Sequence, residues 1–334
     1  MDSALHPRVQ EVVNALDPDR PIVVLSHGAG QDSAAMLALL YDDARPELHA
    51  TYVGDRQLLV VHADTGAERP ETIAYRSWIR DYCEAQSAVY FQIDRHLGFH
   101  SGHWAQGLHG QWDASASIGS VAFGSVCSDR LKIGPIWKGV NAVLASLYGC
   151  AEEQRGGLYM HHKRFGAIDC LIGFGAEEAR RARRADKASQ LPLFHERATQ
   201  KKRQKKADQR WFTATVRRRY PLIDLDINRP RAQAYLQERG LPIPFPSMCQ
   251  TCHWADEASV ALLDRTDPAL MQYWIDAEAR KQQHHPGNGK NLGVKGTISL
   301  PQFLARARSL YGALSTDELT NAIRRNGHSV KSRM

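Results

Sequence analysis

Residues 21–40 constrain the fold of this chain more than any other stretch of its sequence. Ile22-Val-Val-Leu25 is a short apolar, β-branched run that suits a buried parallel strand, and 34–40 reads as the start of a helix. Between them lies a turn of small residues, Ser26-His27-Gly28-Ala29-Gly30-Gln31-Asp32-Ser33. Glycine lets the backbone approach a ligand closely, a helix N-terminus supplies unpaired N–H groups, and Ser33 adds a hydroxyl. Strand, tight turn and helix in that order make a phosphate cradle. The turn has neither the Gly-Lys-Ser/Thr ending of a Walker loop nor the G-x-G-x-x-G spacing of a dinucleotide fingerprint.

Further strands are expected at 57–62, 88–93 and 167–172, each separated by helical stretches, and helices at 8–18 and 231–239. Strands that alternate with helices predict a parallel twisted sheet with helices on both faces and right-handed crossovers. In such sheets ligands bind beyond the carboxyl ends of the strands, where the motifs of this chain fall. Residues 95–126 lack periodicity and read as a long loop. The expected organisation is an α/β nucleotide-binding domain over 1–190, a basic loop or linker over 191–219, and a smaller, mostly helical C-terminal region over 220–334.

At 334 residues the chain can bury a sizeable core, and no apolar run reaches membrane-spanning length. The N-terminal residues lack a signal-peptide pattern, so a cytoplasmic location and no membrane partner are expected. Six scattered cysteines predict reduced thiols or a metal site rather than a disulfide framework. The net charge of +7 favours a polyanionic partner. Much of it gathers at 197–219, which holds ten Lys/Arg and one acid, Asp208. Lys201, Lys202, Arg203, Lys205, Lys206 and Arg210, beside Trp211 and Phe212, fit phosphate contacts with base stacking; the same composition also suits a solubilising loop.

A second motif, Asp64-Thr65-Gly66-Ala-Glu-Arg-Pro70-Glu71-Thr72, follows the second strand. It resembles the D-T-G-x-x-x-P-E-T element of the PAPS-reductase-like branch of the PP-loop ATP pyrophosphatase superfamily. Gly28 to Ser33 resembles that superfamily's S-G-G-x-D-S loop, with Gly28 and Ala29 departing from its first two positions. Cys127-Ser-Asp-Arg-Leu-Lys132-Ile-Gly-Pro135 resembles the branch's C-C-x-x-x-K-x-x-P segment, with Ser128 in place of the second cysteine. Gly173-Phe-Gly175 stands where the branch has a Gly-x-Arg/Ser segment, with Arg181 downstream.

The resemblance covers about 20–260 and implies an adenine nucleotide α-hydrolase-like, Rossmann-like fold that binds ATP and Mg²⁺. By this reading Ser26, His27, Gly28, Ala29, Gly30, Gln31, Asp32, Ser33, His62, Asp64, Thr65, Gly66 and Gly173 line the nucleotide. Asp32, Ser33, Lys132 and Arg181 are the candidate catalytic groups, since cations there would neutralise charge that develops on phosphate. In cluster-bearing relatives a Cys-Cys pair and a distal C-x-x-C hold a four-iron cluster. Cys127, Cys249 and Cys252 keep three of those positions, so a [4Fe–4S] cluster, a zinc site completed by Cys170 or His253, and packed reduced thiols all stay open.

Three functions compete. The first cleaves ATP to AMP and pyrophosphate and activates an acceptor for sulfur insertion. Its favoured form resembles the ATP pyrophosphatases of bacterial DNA phosphorothioation, with RNA thiolation next. The second is a sulfonucleotide reductase, opposed by the absence of any cysteine after Cys252. The third is a nucleic-acid-binding module with a vestigial nucleotide site. Expected partners are nucleic acid, DNA first, and a cysteine desulfurase or other sulfur donor; a homodimer is left open.

Overall fold

The computed structural model describes residues 5–122, 126–188, 213–284 and 293–326. Lys201, Lys202, Arg203, Lys205, Lys206, Arg210, Trp211 and Phe212 lie outside the described residues. The chain forms two compact units that interleave along the sequence. One comprises 1–62, 75–92 and 136–243, the other 63–74, 93–135 and 244–334.

The first unit is built on a five-stranded parallel sheet: β1 (Ile22–Ser26), β2 (Gln57–Ala63), β3 (Val89–Ile93), β4 (Ile168–Ile172) and β5 (Val216–Arg219), in the order β3-β2-β1-β4-β5. β1 runs parallel to β2 with Val24 opposite Leu59, and parallel to β4 with Val24 opposite Cys170. Ile22 to Leu25 are at most 1% exposed, as expected for a strand covered on both faces. The order of connection reverses between β1 and β4. Open α/β sheets bind ligands beyond that switch point. Two segments singled out in the sequence leave the sheet there, 27–30 from β1 and 173–175 from β4.

All ten residues of the helix Gln31–Leu40 are buried, so apolar packing all round it holds its N-terminus at the end of β1. The helix Arg229–Glu238 packs in the same core through Ala232 and Leu236, both fully buried. Gly240 ends it in a left-handed conformation, as the sequence predicts.

The second unit is mostly helical. Glu257–Thr266, Pro268–His284, Leu300–Tyr311 and Thr316–Asn326 share a core around Trp274, Val260, Leu300 and Leu319. Asp256 caps the first of these by accepting from the Ser259 N–H at 2.8 Å, and Ser299 with Gln302 forms a capping box on the third. No described helix is long and apolar enough to cross a membrane.

Two expectations are corrected. Residues 95–126 are not one long loop: they contain 3₁₀ turns at Arg95–Leu97 and Gly102–Gln106 and a helix at Gly107–Ser115. Two glycines in nine residues hide that helix from propensity, yet Leu108 and Trp112, one turn apart, are buried in the core of the second unit. The end of the basic run is the edge strand β5. Its charges are tolerable because Asp169, buried in β4, takes Arg217 at 2.5 Å and Arg56 at 2.7 Å.

Candidate functional site

In the first unit, Gly30 caps the helix Gln31–Leu40 and the Ser33 hydroxyl folds back on it, donating to Gly30 O at 3.0 Å. Ala29, fully buried, has φ +53°, a left-handed conformation that glycine adopts without strain. Its N–H donates to His27 Nδ1 at 3.0 Å, so the His27 ring is neutral with its proton on Nε2. Burial, with His62 adding to it, holds the His27 pKa down to about 3. His62 Nδ1 in turn donates to His27 O at 2.9 Å. The cradle therefore stands on an uncharged His27 imidazole. Gly173 has a packing reason as well: a Cβ there would lie 2.8 Å from Ser33 N, too close for any side chain.

Asp32 is 8% exposed and bonded to Arg229, whose Nη2 lies 2.8 Å from Oδ2. Its Oδ1 is buried with no protein partner. Burial raises the Asp32 pKa and the Arg229 guanidinium opposes it, with a net upward shift. Arg229 is also tied to the segment after β4, through its N–H to Glu177 Oε1 at 3.1 Å. Arg181, expected at phosphate, pairs with Glu178 at 2.6 Å and lies over the Phe174 ring at 4.3 Å. Nothing local marks Arg229, which sits almost two hundred residues from Asp32 outside any recognised motif.

The second unit carries the Asp64-Thr65-Gly66 turn, Lys132 and the three cysteines. Asp64 Oδ1 accepts from Gly66 N at 2.8 Å, and Gly66 takes φ +74° against Gly107, a Cβ there being 3.7 Å from its Cα. Thr65 Oγ1 lies 3.1 Å from Glu68 Oε1 and 3.1 Å from Cys249 Sγ. A hydroxyl has one proton to give, so with Thr65 donating to the carboxylate the Cys249 thiol donates to Thr65. Lys132 Nζ approaches the same Glu68 oxygen at 3.4 Å from a π turn, Asp129–Ile133. Wide turns of this kind cluster at functional sites.

Burial opposes the Lys132 charge, but Glu68 and the nearby Cys249 outweigh it and raise its pKa. Burial and the Glu68 charge push the Cys249 thiol up, against Lys132. Arg69 is 3% exposed, lies over the Phe245 ring at 5.2 Å and reaches Ser259 O at 3.5 Å, with its Nε unpartnered.

A strap at 293–298 reaches the segment after Cys252 and the stretch at 120–121. Glu278, 2% exposed, anchors it by accepting from Val294 N at 2.6 Å and Leu300 N at 2.7 Å. Ser120 donates to Gly293 O at 2.7 Å, and Lys295 Nζ donates to His253 O at 2.8 Å and to Ala255 O. The Lys295 ammonium also lies 4.6 Å from the centre of the Phe303 ring.

Cys127, Cys249 and Cys252 line one cavity of about 380 Å³, opposite Trp104, Leu108 and Trp112. Among the described residues no three His, Cys, Asp or Glu side chains are placed around a single ion. Cys170, on β4 in the first unit, is buried and its thiol is pushed up to about 12. Cys170 does not line that cavity, whereas His253 does. A cluster fits better in kind: three soft donors face one cavity, and Lys132, Arg69 and Lys295 supply positive charge to balance thiolates. Ser128, at the fourth position, is exposed.

Sequence reasoning found the loop, the Asp-Thr-Gly turn and the cysteines. It passed over Glu68 and Arg69, though both occupy unspecified positions inside the second motif, where adjacent charged residues were the available signal.

No family model matches the chain, and no curated protein matches its sequence. Among solved structures it is similar to the U34-tRNA thiolase NcsA from Methanococcus maripaludis with its [4Fe–4S] cluster, at 14% identity over 92% of this chain and 80% of that one, TM-score 0.37. It is also similar to the phosphoadenylyl-sulfate (PAPS) reductase from Candida auris in its phosphate complex, at 12% identity over 72% of this chain and 90% of that one, TM-score 0.32. At such scores neither likeness speaks to function.

Proposed function

We propose that the chain is an ATP pyrophosphatase of the PP-loop superfamily, in its PAPS-reductase-like branch, that activates an acceptor oxygen for replacement by sulfur. The observation that carries this reading is the glycine-containing turn at the switch point of the sheet, capped by the N-terminus of Gln31–Leu40. Backbone amides of the turn would hold phosphate oxygens, and the helix dipole favours their charge. An acceptor oxygen attacks the α-phosphorus of ATP, the α–β bridge breaks and pyrophosphate leaves. A sulfur nucleophile then displaces AMP. Positioning and fixed charge supply most of the acceleration in phosphoryl chemistry, and Mg²⁺ would add Lewis-acid stabilisation of the leaving pyrophosphate.

More narrowly, the acceptor we favour is a backbone phosphate of nucleic acid, as in bacterial DNA phosphorothioation. The basic composition of 197–219 supports a nucleic-acid partner. Cys127, Cys249 and Cys252 would form the sulfur-handling centre; a cluster they held would offer an iron site for sulfur. The test combines the protein, ATP, Mg²⁺, a DNA duplex, a cysteine desulfurase with cysteine, and excess dithiothreitol to reduce the persulfide sulfur by two electrons, then digests the DNA with nuclease and analyses it by mass spectrometry. Phosphorothioate dinucleotides are expected; their absence beside AMP formation would reject this acceptor.

One observation favours RNA base thiolation as a second reading. Among the described residues, those that line the cavity before the thiols include Trp104, Trp112, Leu108 and Ile118 and no Lys, Arg, Asp or Glu. Such walls suit a planar base better than a phosphate.

A further inference from the structure

The helix Ala179–Ala188, Ala-Arg-Arg-Ala-Arg-Arg-Ala-Asp-Lys-Ala, leaves the C-terminal side of β4 in the first unit. Helical spacing separates its charged positions into three groups. Ala182, 5% exposed, and the exposed Asp186 lie one turn apart on the side turned towards β5. Asp186 is the single acid on the helix and is committed to β5 and the residue after it: Arg218 approaches it at 3.8 Å and Tyr220 donates to it at 2.8 Å. Arg181 lies to one side, held by Glu178 and the Phe174 ring. Arg180, Arg183 and Arg184 fall together on the opposite face, all exposed.

These three guanidiniums are related by three and four residues, so they neighbour one another along about one turn. Among the described residues none of them has an acidic partner, while Arg181, between them in sequence, does. Like charges at these spacings weaken a helix, and no acid among the described residues pairs with them here. A ligand with regularly spaced negative charge would. The neighbouring edge strand has the same sign: Arg217, Arg218 and Arg219 follow one another on β5, and Asp169 and Asp186 are the acids set against them.

We propose that Arg180, Arg183 and Arg184 are a contact surface for the sugar–phosphate backbone of nucleic acid. Planar guanidiniums on one helix face suit phosphate oxygens, and a row of them sets register without reading bases. These three arginines precede the basic run at 201–210 in the sequence and are not part of it. It rests on the reading that the acceptor is nucleic acid, not on the ATP chemistry.

The test is fluorescence anisotropy of a labelled DNA duplex against salt, with the full chain and two triple variants. In one, Arg180, Arg183 and Arg184 become Gln; in the other they become Lys. Loss of each phosphate contact lowers the slope of log K against log salt by about 0.9, so the Gln variant is expected to lose about 2 to 3 from the slope. The Lys variant keeps the charge and should keep the slope. Equal slopes for the native protein and the Gln variant, or no DNA binding by the native protein, overturn the proposal. A slope lost equally in the Lys variant also overturns it, because helix damage rather than charge would then be the cause. ATP binding, measured by calorimetry on the same samples without DNA, should be equal in all three. Its absence throughout would reject the ATP reading and leave the DNA-binding result standing.

Discussion

Lys132 Nζ lies 3.4 Å from Glu68 Oε1, which ties the π turn beside Cys127 to the turn beside Cys249. The partners are unequally placed. The Glu68 side chain is 1% exposed and that of Lys132 30%, so only the lysine has a route to water. Lys132→Met should therefore strand a buried carboxylate and lower stability by about 3 to 5 kcal/mol. Glu68→Gln should lower it by less, about 1 to 3 kcal/mol, because the ammonium can rehydrate. Urea unfolding of the two variants checks the order, and the reverse order would contradict the account.

Ala29 sits at φ +53° in the turn after β1, a left-handed conformation that glycine adopts without strain. Ala29→Gly relieves left-handed strain but adds freedom to the unfolded chain, and the net should be a gain of about 0.5 to 1 kcal/mol. Ala29→Val, fully buried and β-branched, should lose more than about 2 kcal/mol. Thermal melts decide both; a destabilised glycine variant would mean that the alanine methyl has a packing role.

Two buried histidines predict how stability depends on pH. Burial, helped by His62, holds His27 down to about 3, and burial holds His161 down to about 4, its Nε2 accepting from Ile22 N at 3.1 Å. Both stay neutral in the folded chain, whereas the unfolded chain takes up protons below about 6.5. Their contribution is thus complete above about pH 7 and falls away as pH drops towards the folded values. At pH 5 each has lost about 2 kcal/mol, from about 1.36 kcal/mol per unit below 6.5. His161→Gln should flatten the decline between pH 7.5 and 5 in urea titrations, and an unchanged slope would count against it.

Lys295 should act locally. Burial lowers its pKa to about 8, which offsets much of what its bonds to His253 O and Ala255 O contribute. Lys295→Met should therefore change global stability by less than about 1 kcal/mol. Yet it removes a cation that favours the Cys252 thiolate, so iodoacetamide should label Cys252 several-fold more slowly while buried Cys83 stays unchanged. Mass spectrometry of the labelled peptides reads this directly, and no change at Cys252 would remove Lys295 from the site.

How far the sequence carried the fold follows from where each signal was local. The strand at Ile22–Ser26 and the helix after it were legible because a β-branched run and a glycine turn are adjacent in the chain. β5 was not, since Val216-Arg-Arg-Arg219 looks like a charged loop until Asp169, across the sheet, is known to neutralise it. Glu68 was hidden for the same reason: it becomes notable only when folding brings Lys132 and Cys249 to it. Arg229 is the extreme case, joined to Asp32 by tertiary structure alone.

The central claim is that the turn at Gly28 to Ser33 presents the α–β bridge of ATP for cleavage. Incubation with ATP and Mg²⁺, followed by separation of nucleotides and an assay for pyrophosphate, tests it most directly. The account predicts AMP and pyrophosphate in equal amounts; ADP with inorganic phosphate, or unchanged ATP with every acceptor and sulfur donor supplied, would contradict it.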